Sequence, residues 1–333
     1  MEMLGRNLVW EPTGIGAVFV ESYSNVPSAE ALSQVRVDFG AFRGFDSFAD
    51  AARSVIQFVK TNIGLDLWVI TRVEGNEWLM LEVSDSSYKR NSHDVLAWDE
   101  SICYRMVYQD GPNIAPDIAA IEAYRTAPIA IREGIGAYIG VPILFPDGNI
   151  FGTLCGISPE VQDPSLAGQL ELIVLQARLL STVLALEIER AEVERVVDAL
   201  EFQALGATAT GMLDFDVWHL SLVREDERSA RLAVPALVML FQFRRSATMF
   251  DQAGLRSFAS TAKAAADPRA VLGLLPDGRV GLFLTELGQE PQRNIANDIA
   301  DSLLAAGFDH ESKFLIKHGG ESLLEVFNRI YHG

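Results

Sequence analysis

Residues 134–159, GIGAYIGVPILFPDGNIFGTLCGISP, read as two apolar strands, GAYIGVPILF and IFGTLCGIS, joined at Pro146-Asp147-Gly148-Asn149. Proline presets the first corner of such a turn, and Asp and Gly supply the backbone conformations at its centre. Working outward, LDLWVITRVEG and EWLMLEVSD form a second β-rich pair about Glu74-Gly75-Asn76, again with hairpin spacing. Before them, Phe48, Ala52, Val55, Ile56 and Val59 fall at helical spacing and Asn62-Ile63-Gly64 supplies a stop, so an amphipathic helix opens this region. Between the strand pairs lies an irregular segment and then a helix over residues 101–108. Residues 1–44 show no long helical period and are expected to be an extension with one or two strands.

A chain of 333 residues is long for one core, which favours two domains. With 49% hydrophobic and 22% charged residues, both should fold around apolar interiors. The net charge of -18 opposes extended contact with nucleic-acid phosphates, which needs clustered Lys and Arg. Two cysteines, Cys103 and Cys155, make no disulfide framework or metal-ligand spacing, and they fit a reducing cytoplasm. No window approaches the roughly 18 apolar residues of a membrane span, and the amino-terminal residues lack the basic and apolar regions of a signal peptide. The five histidines show no metal pairing; neither a metal nor a cofactor is expected.

Residues 166–205 form one long helical pattern. Apolar residues at 166, 170, 173, 177, 180 and 184 alternate steps of four and three, the spacing of a coiled-coil seam. The stretch EIERAEVER, residues 187–195, is charged all round, after which Val193, Val197 and Leu200 continue in a shifted phase. Two readings compete: a helix packed on its own domain, or a parallel homodimer stalk. The charged section, with nothing of its own to cover on one side, favours the stalk.

Beyond residue 206 the pattern is a helix near 217–232, a strand at PALVMLFQF, a helix near 252–266 and a hairpin at residues 274–284, LLPDGRVGLFL. A helix near 291–306, a strand at SKFLIKHG and a helix over 322–331 follow. The expected class is α/β (α+β): domains at 45–165 and 206–333 joined by a long helix.

The segments SICYRMVYQDGPNIAPDIAA and GIGAYIGVPILFPDGNIFGTLCGISP resemble the second half of a GAF domain, a small sensor module. The likeness rests on the helix bearing Cys103, the Pro116-Asp117 loop, the Gly-Val-Pro strand at 140–142 and the Phe-Gly-Thr-Leu-Cys strand at 151–155. It implies a pocket for a small ligand or a partner, for which Trp98, Cys103, Tyr104, Asp117, Tyr124, Arg132 and Tyr138 are the candidates; the alternative is that they are ordinary core and rim residues. Some GAF domains attach a bilin through cysteine, but Tyr104 stands after Cys103 where such sites carry His, and a buried thiol is the simpler reading.

Residues 207–333 resemble a GGDEF domain, the fold of diguanylate cyclases, in element order, in LDFDVWHLSLVREDERSARLAVPALVMLFQF and in GGESLLEVFNRIY. Aligning Asp251 and Gly254 with that family's Asn-Asp-x-x-Gly-His segment puts Gln242 at the first metal-binding Asp, Phe250 and Ala259 at the guanine-reading positions, and Leu255 at the His. The signature turn falls at residues 276–279, where Asp277 is the one carboxylate available. An amide replaces a carboxylate poorly toward a hard cation, and phosphoryl transfer needs carboxylate-held metal. Ala264 stands where the family's inhibitory cyclic di-GMP site has Arg, before Asp267, while Arg195 and Asp198 match that motif's spelling within the connecting helix. The resemblance implies a degenerate, non-catalytic domain that serves as a protein-binding scaffold, with a cyclic di-GMP or GTP effector and a weak cyclase as alternatives.

Overall fold

The computed structural model describes residues 43–109, 111–206, 209–244, 251–285 and 292–333. Residues 1–42 of the 1–44 extension, where one or two strands are expected, and the candidate Phe250 lie outside them. Phe45–Gly333 form one compact unit.

The first domain runs α1 (Phe48–Ile63), β1 (Leu67–Glu74), β2 (Glu77–Asp85), β3 (Val95–Ala97), α2 (Ile102–Tyr108), β4 (Ile114–Ala115), α3 (Glu122–Arg125), α4 (Pro128–Glu133), β5 (Ala137–Leu144) and β6 (Ile150–Ser158). Helices α1 and α2 start where Ser47 and Ser101 accept hydrogen bonds from main-chain N–H groups of their first turns, which satisfies donors the helix cannot. The strands form an antiparallel sheet in the order β3-β2-β1-β6-β5-β4.

Successive side chains on a strand point to opposite faces, so Trp68 and Ile70 enter one core and Leu67 and Val69 another. Both faces are covered, and β1 therefore reads as an unbroken apolar run rather than an alternation. Gly152 is needed where β6 crosses β1: a Cβ there would lie 1.8 Å from the Thr71 carbonyl oxygen.

A 3₁₀ turn at Pro164–Gln169 leads into α5 (Leu170–Gly206), 37 residues long. Its residues Ile173, Ala177, Leu180 and Leu184 are buried with Phe48, Val55 and Val59 of α1 and with Ile139 and Val141 of β5. The seam read from the sequence is therefore spent inside the first domain from Ile173 to Leu184, while Leu170 stays exposed. Two parallel apolar surfaces, α1 and the sheet, were available nearby, and a four-three spacing serves that contact as well as it serves a stalk.

The second domain runs α6 (Phe215–Arg231), β7 (Ala236–Phe243), α7 (Gln252–Ala265), β8 (Val271–Leu274), β9 (Val280–Thr285), α8 (Gln292–Ala305), β10 (His310–Lys317) and α9 (Leu323–His332). Its sheet has the order β10-β7-β9-β8 and every pairing is antiparallel. Helices α7 and α8 cover one face against Met239 and Phe241; α6 and α9 cover the other against Val238 and Leu240. With its two antiparallel sheets and long helix the chain is α+β. Trp218 of α6 packs against the β8–β9 hairpin, where a Cβ on Gly273 would lie 2.2 Å from its Cγ. No helix among the described residues is long and apolar enough to cross a membrane.

Candidate functional site

Of the seven candidates in the first domain, Trp98, Cys103, Tyr124 and Tyr138 share one buried cluster. Tyr138 lies edge-on to Tyr124 at 5.3 Å and donates its hydroxyl to Cys103 Sγ at 3.4 Å; the Tyr124 hydroxyl donates to the Pro112 carbonyl. Tyr104 packs edge-on to Trp98 at 5.9 Å. Asp117 instead accepts the Ala119 N–H as a helix cap, and the half-exposed Arg132 pairs with Glu100 at 2.8 Å and Glu133 at 3.1 Å.

The void beside Cys103 and Tyr138 is about 30 Å³. That accommodates a water, whereas small-molecule pockets run from roughly 300 Å³. The aromatic residues expected to line a pocket fill it. The hydrogen bond with Cys103 and complete burial push the Cys155 thiol well up, so it stays protonated and unreactive.

In the second domain, Leu255 and Ala259 sit on the buried face of α7, while Gln242 is exposed near the end of β7 opposite Glu311. At the hairpin tip Asp277 Oδ1 accepts the Arg279 N–H at 3.1 Å, and Asp277 Oδ2 lies 2.7 Å from Arg279 Nη2. Arg279 in turn lies 4.4 Å over the Tyr331 ring and donates to the Tyr331 carbonyl. Partial burial acts to raise the Asp277 carboxyl, but the hydrogen bonds from Arg279 outweigh it and hold the group below the usual carboxylate range. The tip is thus tied to α9 by groups that a metal would have to displace. Asp267 is likewise engaged, by Arg269 at 2.9 Å.

The charged section of α5 has a partner that sequence reading missed, namely α6. Arg195 reaches Glu225 at 2.8 Å and Glu192 at 2.7 Å; Arg228 holds Glu225 at 2.8 Å and Asp198 at 2.5 Å. Arg224 also pairs with Asp198, and Arg231 with Glu194 at 3.1 Å and Glu187 at 3.5 Å. Glu187 accepts the Phe48 N–H as well. Arg195 and Asp198 are therefore interhelical ties. The signal available in the sequence was the charge complement between EIERAEVERVVDALE and VREDERSAR. A further cavity, about 490 Å³, opens beside this network between α5 and the second domain.

The loop between α6 and β7 adds an apolar tie, since Leu232 and Val234 belong to the same buried cluster as Phe48 and Trp68. Beside it the buried Lys317 Nζ donates to the Val234 carbonyl at 2.9 Å, and burial lowers its ammonium from 10.5 to about 8.

No family model and no curated protein matches the chain. Among solved structures it is similar to the GAF domain of Acinetobacter phosphoenolpyruvate-protein phosphotransferase, at 18% identity over 44% of this chain and 87% of that one, TM-score 0.35. It is also similar to the GAF-B domain of DevS from Mycobacterium smegmatis, at 16% identity over 44% and 99%, TM-score 0.35. A third is a DGC protein from Thermotoga maritima, at 19% identity over 37% and 96%, TM-score 0.31.

Proposed function

We propose that the chain is a non-catalytic signalling protein. A GAF-like sensor domain, residues 45–165, is coupled through α5 to a degenerate GGDEF-like domain that presents a surface to a protein partner. The observation that carries this reading is the engagement of Asp277 by Arg279 and, through it, Tyr331, with Leu255 and Ala259 packed into the core where the resemblance puts a cyclase's His and one of its guanine-reading residues. Among the described residues at these places Asp277 is the one carboxylate, and Arg279 already engages it.

The active unit in this reading is a homodimer, formed through a face of α5 other than the buried seam. Leu175, Leu179, Leu186, Val193, Val196 and Leu200 are 39 to 63% exposed, and their separations of four, seven, seven, three and four residues keep them on one heptad stripe. At 1.5 Å per residue the stripe is about 38 Å long, ample for a two-helix interface with a second copy of the same stripe. A change in the first domain then reaches the second through the shared helix and the dimer geometry.

Incubation with GTP and magnesium tests the catalytic part, and no turnover is expected. Metal-dependent turnover that disappears in Asp277→Asn overturns it. Calorimetry with cyclic di-GMP tests the effector alternative; tight binding replaces the scaffold reading with a nucleotide receptor.

A further inference from the structure

The cavity of about 490 Å³ beside the α5–α6 network is within the size range of small-molecule sites, in contrast to the 30 Å³ void in the first domain. Val196 and Phe202 of α5, Met212 of the connecting loop and Phe283 of β9 give it apolar walls. In a chain of net charge -18 its lining carries four cations, Arg195, Arg228, Lys263 and Arg269, against three carboxylates, Glu192, Asp198 and Glu225. Arg195 and Arg228 are spent on Glu225 and Asp198, and Arg269 on Asp267. Lys263, near the end of α7, has no ion-pair partner among the described residues. Apolar walls with one uncommitted cation are complementary to an apolar body that carries a single negative charge.

We propose that this cavity binds a small amphipathic anion, its apolar part against Phe202 and Phe283 and its carboxylate or phosphate against Lys263. The site goes beyond the function proposed above: it requires neither a dimer nor an inactive cyclase. Its position has a consequence for signalling. One wall is α5, whose other end is buried in the first domain, so a ligand here touches the one helix that both domains share.

Isothermal titration calorimetry of the full chain tests the site, with decanoate, decyl phosphate and decanol as probes. Each acid is expected to bind saturably, one per chain, and about tenfold more tightly than decanol, the difference a charge-assisted hydrogen bond makes. The tighter acid identifies the head group. Lys263→Met should bring both acids to the affinity of decanol and leave decanol unchanged. Ala199→Trp, at an exposed position on the cavity wall, should abolish binding of all three; Val196→Trp is a second filler should the first lower the thermal midpoint. Absence of saturable binding, acid affinities indifferent to Lys263→Met, or binding that survives a folded filler variant each overturns the proposal.

Discussion

The Leu232 carbonyl, in the loop between α6 and β7, accepts a hydrogen bond from Arg72 Nη1 of β1 at 2.7 Å, with the guanidinium buried. A side chain from the first domain thus closes the main chain of the second, while its other amino group pairs with Glu74 at 2.8 Å. The two domains share a covered polar contact as well as the Leu232 and Val234 apolar plug.

Removing that donor should loosen the joint. Arg72→Met leaves the Leu232 carbonyl buried without a partner, at a cost of about 1–3 kcal/mol. Urea unfolding should show a lower midpoint, and Arg72→Lys should recover part of the loss by keeping one donor. An unchanged midpoint for Arg72→Met would mean that water replaces the guanidinium.

The α5–α6 network should contribute to acid stability. Glu225 is pushed up by burial, but the Arg195 hydrogen bond and charge, with Thr285 and Arg228, outweigh this and hold its carboxyl below the usual 4.5. A carboxylate with a lowered folded-state value stabilises above the unfolded-state value and loses that contribution as pH falls through the folded one. Stability should therefore decline below pH 4.5, and Glu225→Gln should make that decline shallower. At neutral pH the same variant should cost about 1–3 kcal/mol, because Arg195 and Arg228 each lose a charged acceptor while Arg228 keeps Asp198 and Arg195 keeps Glu192.

Lys317 has the opposite signature. Its folded-state value of about 8 lies below the ordinary 10.5, so between these values the unfolded chain binds the extra proton and stability rises with pH. The penalty is fully present below pH 8 and gone above 10.5, amounting to about 3 kcal/mol at most. Stability curves of Lys317→Met should lack this rise. A parallel rise in the variant would assign the effect to another group.

The two apolar faces of α5 should respond differently. Leu180→Ala, in the core against α1 and the sheet, should lower stability by about 2–5 kcal/mol without changing mass in light scattering. Leu186→Glu combined with Leu200→Glu, on the exposed stripe, should leave the thermal midpoint of the monomer nearly unchanged and shift a dimer to the 36.5 kDa species. A wild-type chain already at 36.5 kDa sinks the dimer.

Much of the local structure was legible from residue pattern alone. Val55, Ile56 and Val59 marked α1, the Pro-Asp-Gly turns marked the β5–β6 and β8–β9 hairpins, and Ser101, Asp251 and Ser322 stand where their helices begin. These signals are short-range, and they survive because caps and turns are satisfied within a few residues. The candidate pocket was legible only as a set of residue types. Trp98, Cys103, Tyr124 and Tyr138 do converge, yet whether converging side chains enclose space or fill it depends on how their volumes interlock, which no spacing records.

The sequence by itself determined the order of the longer elements, the hairpins and the long helix, because chain chemistry and periodicity act locally. Only the tertiary structure decided which face of that helix is spent. Ile173 and Leu180 meet α1 and the sheet, Glu187 and Asp198 meet the arginines of α6, and Leu186 and Leu200 are left exposed. A helical stripe states that a partner exists, but the partner is whichever surface the rest of the chain brings alongside.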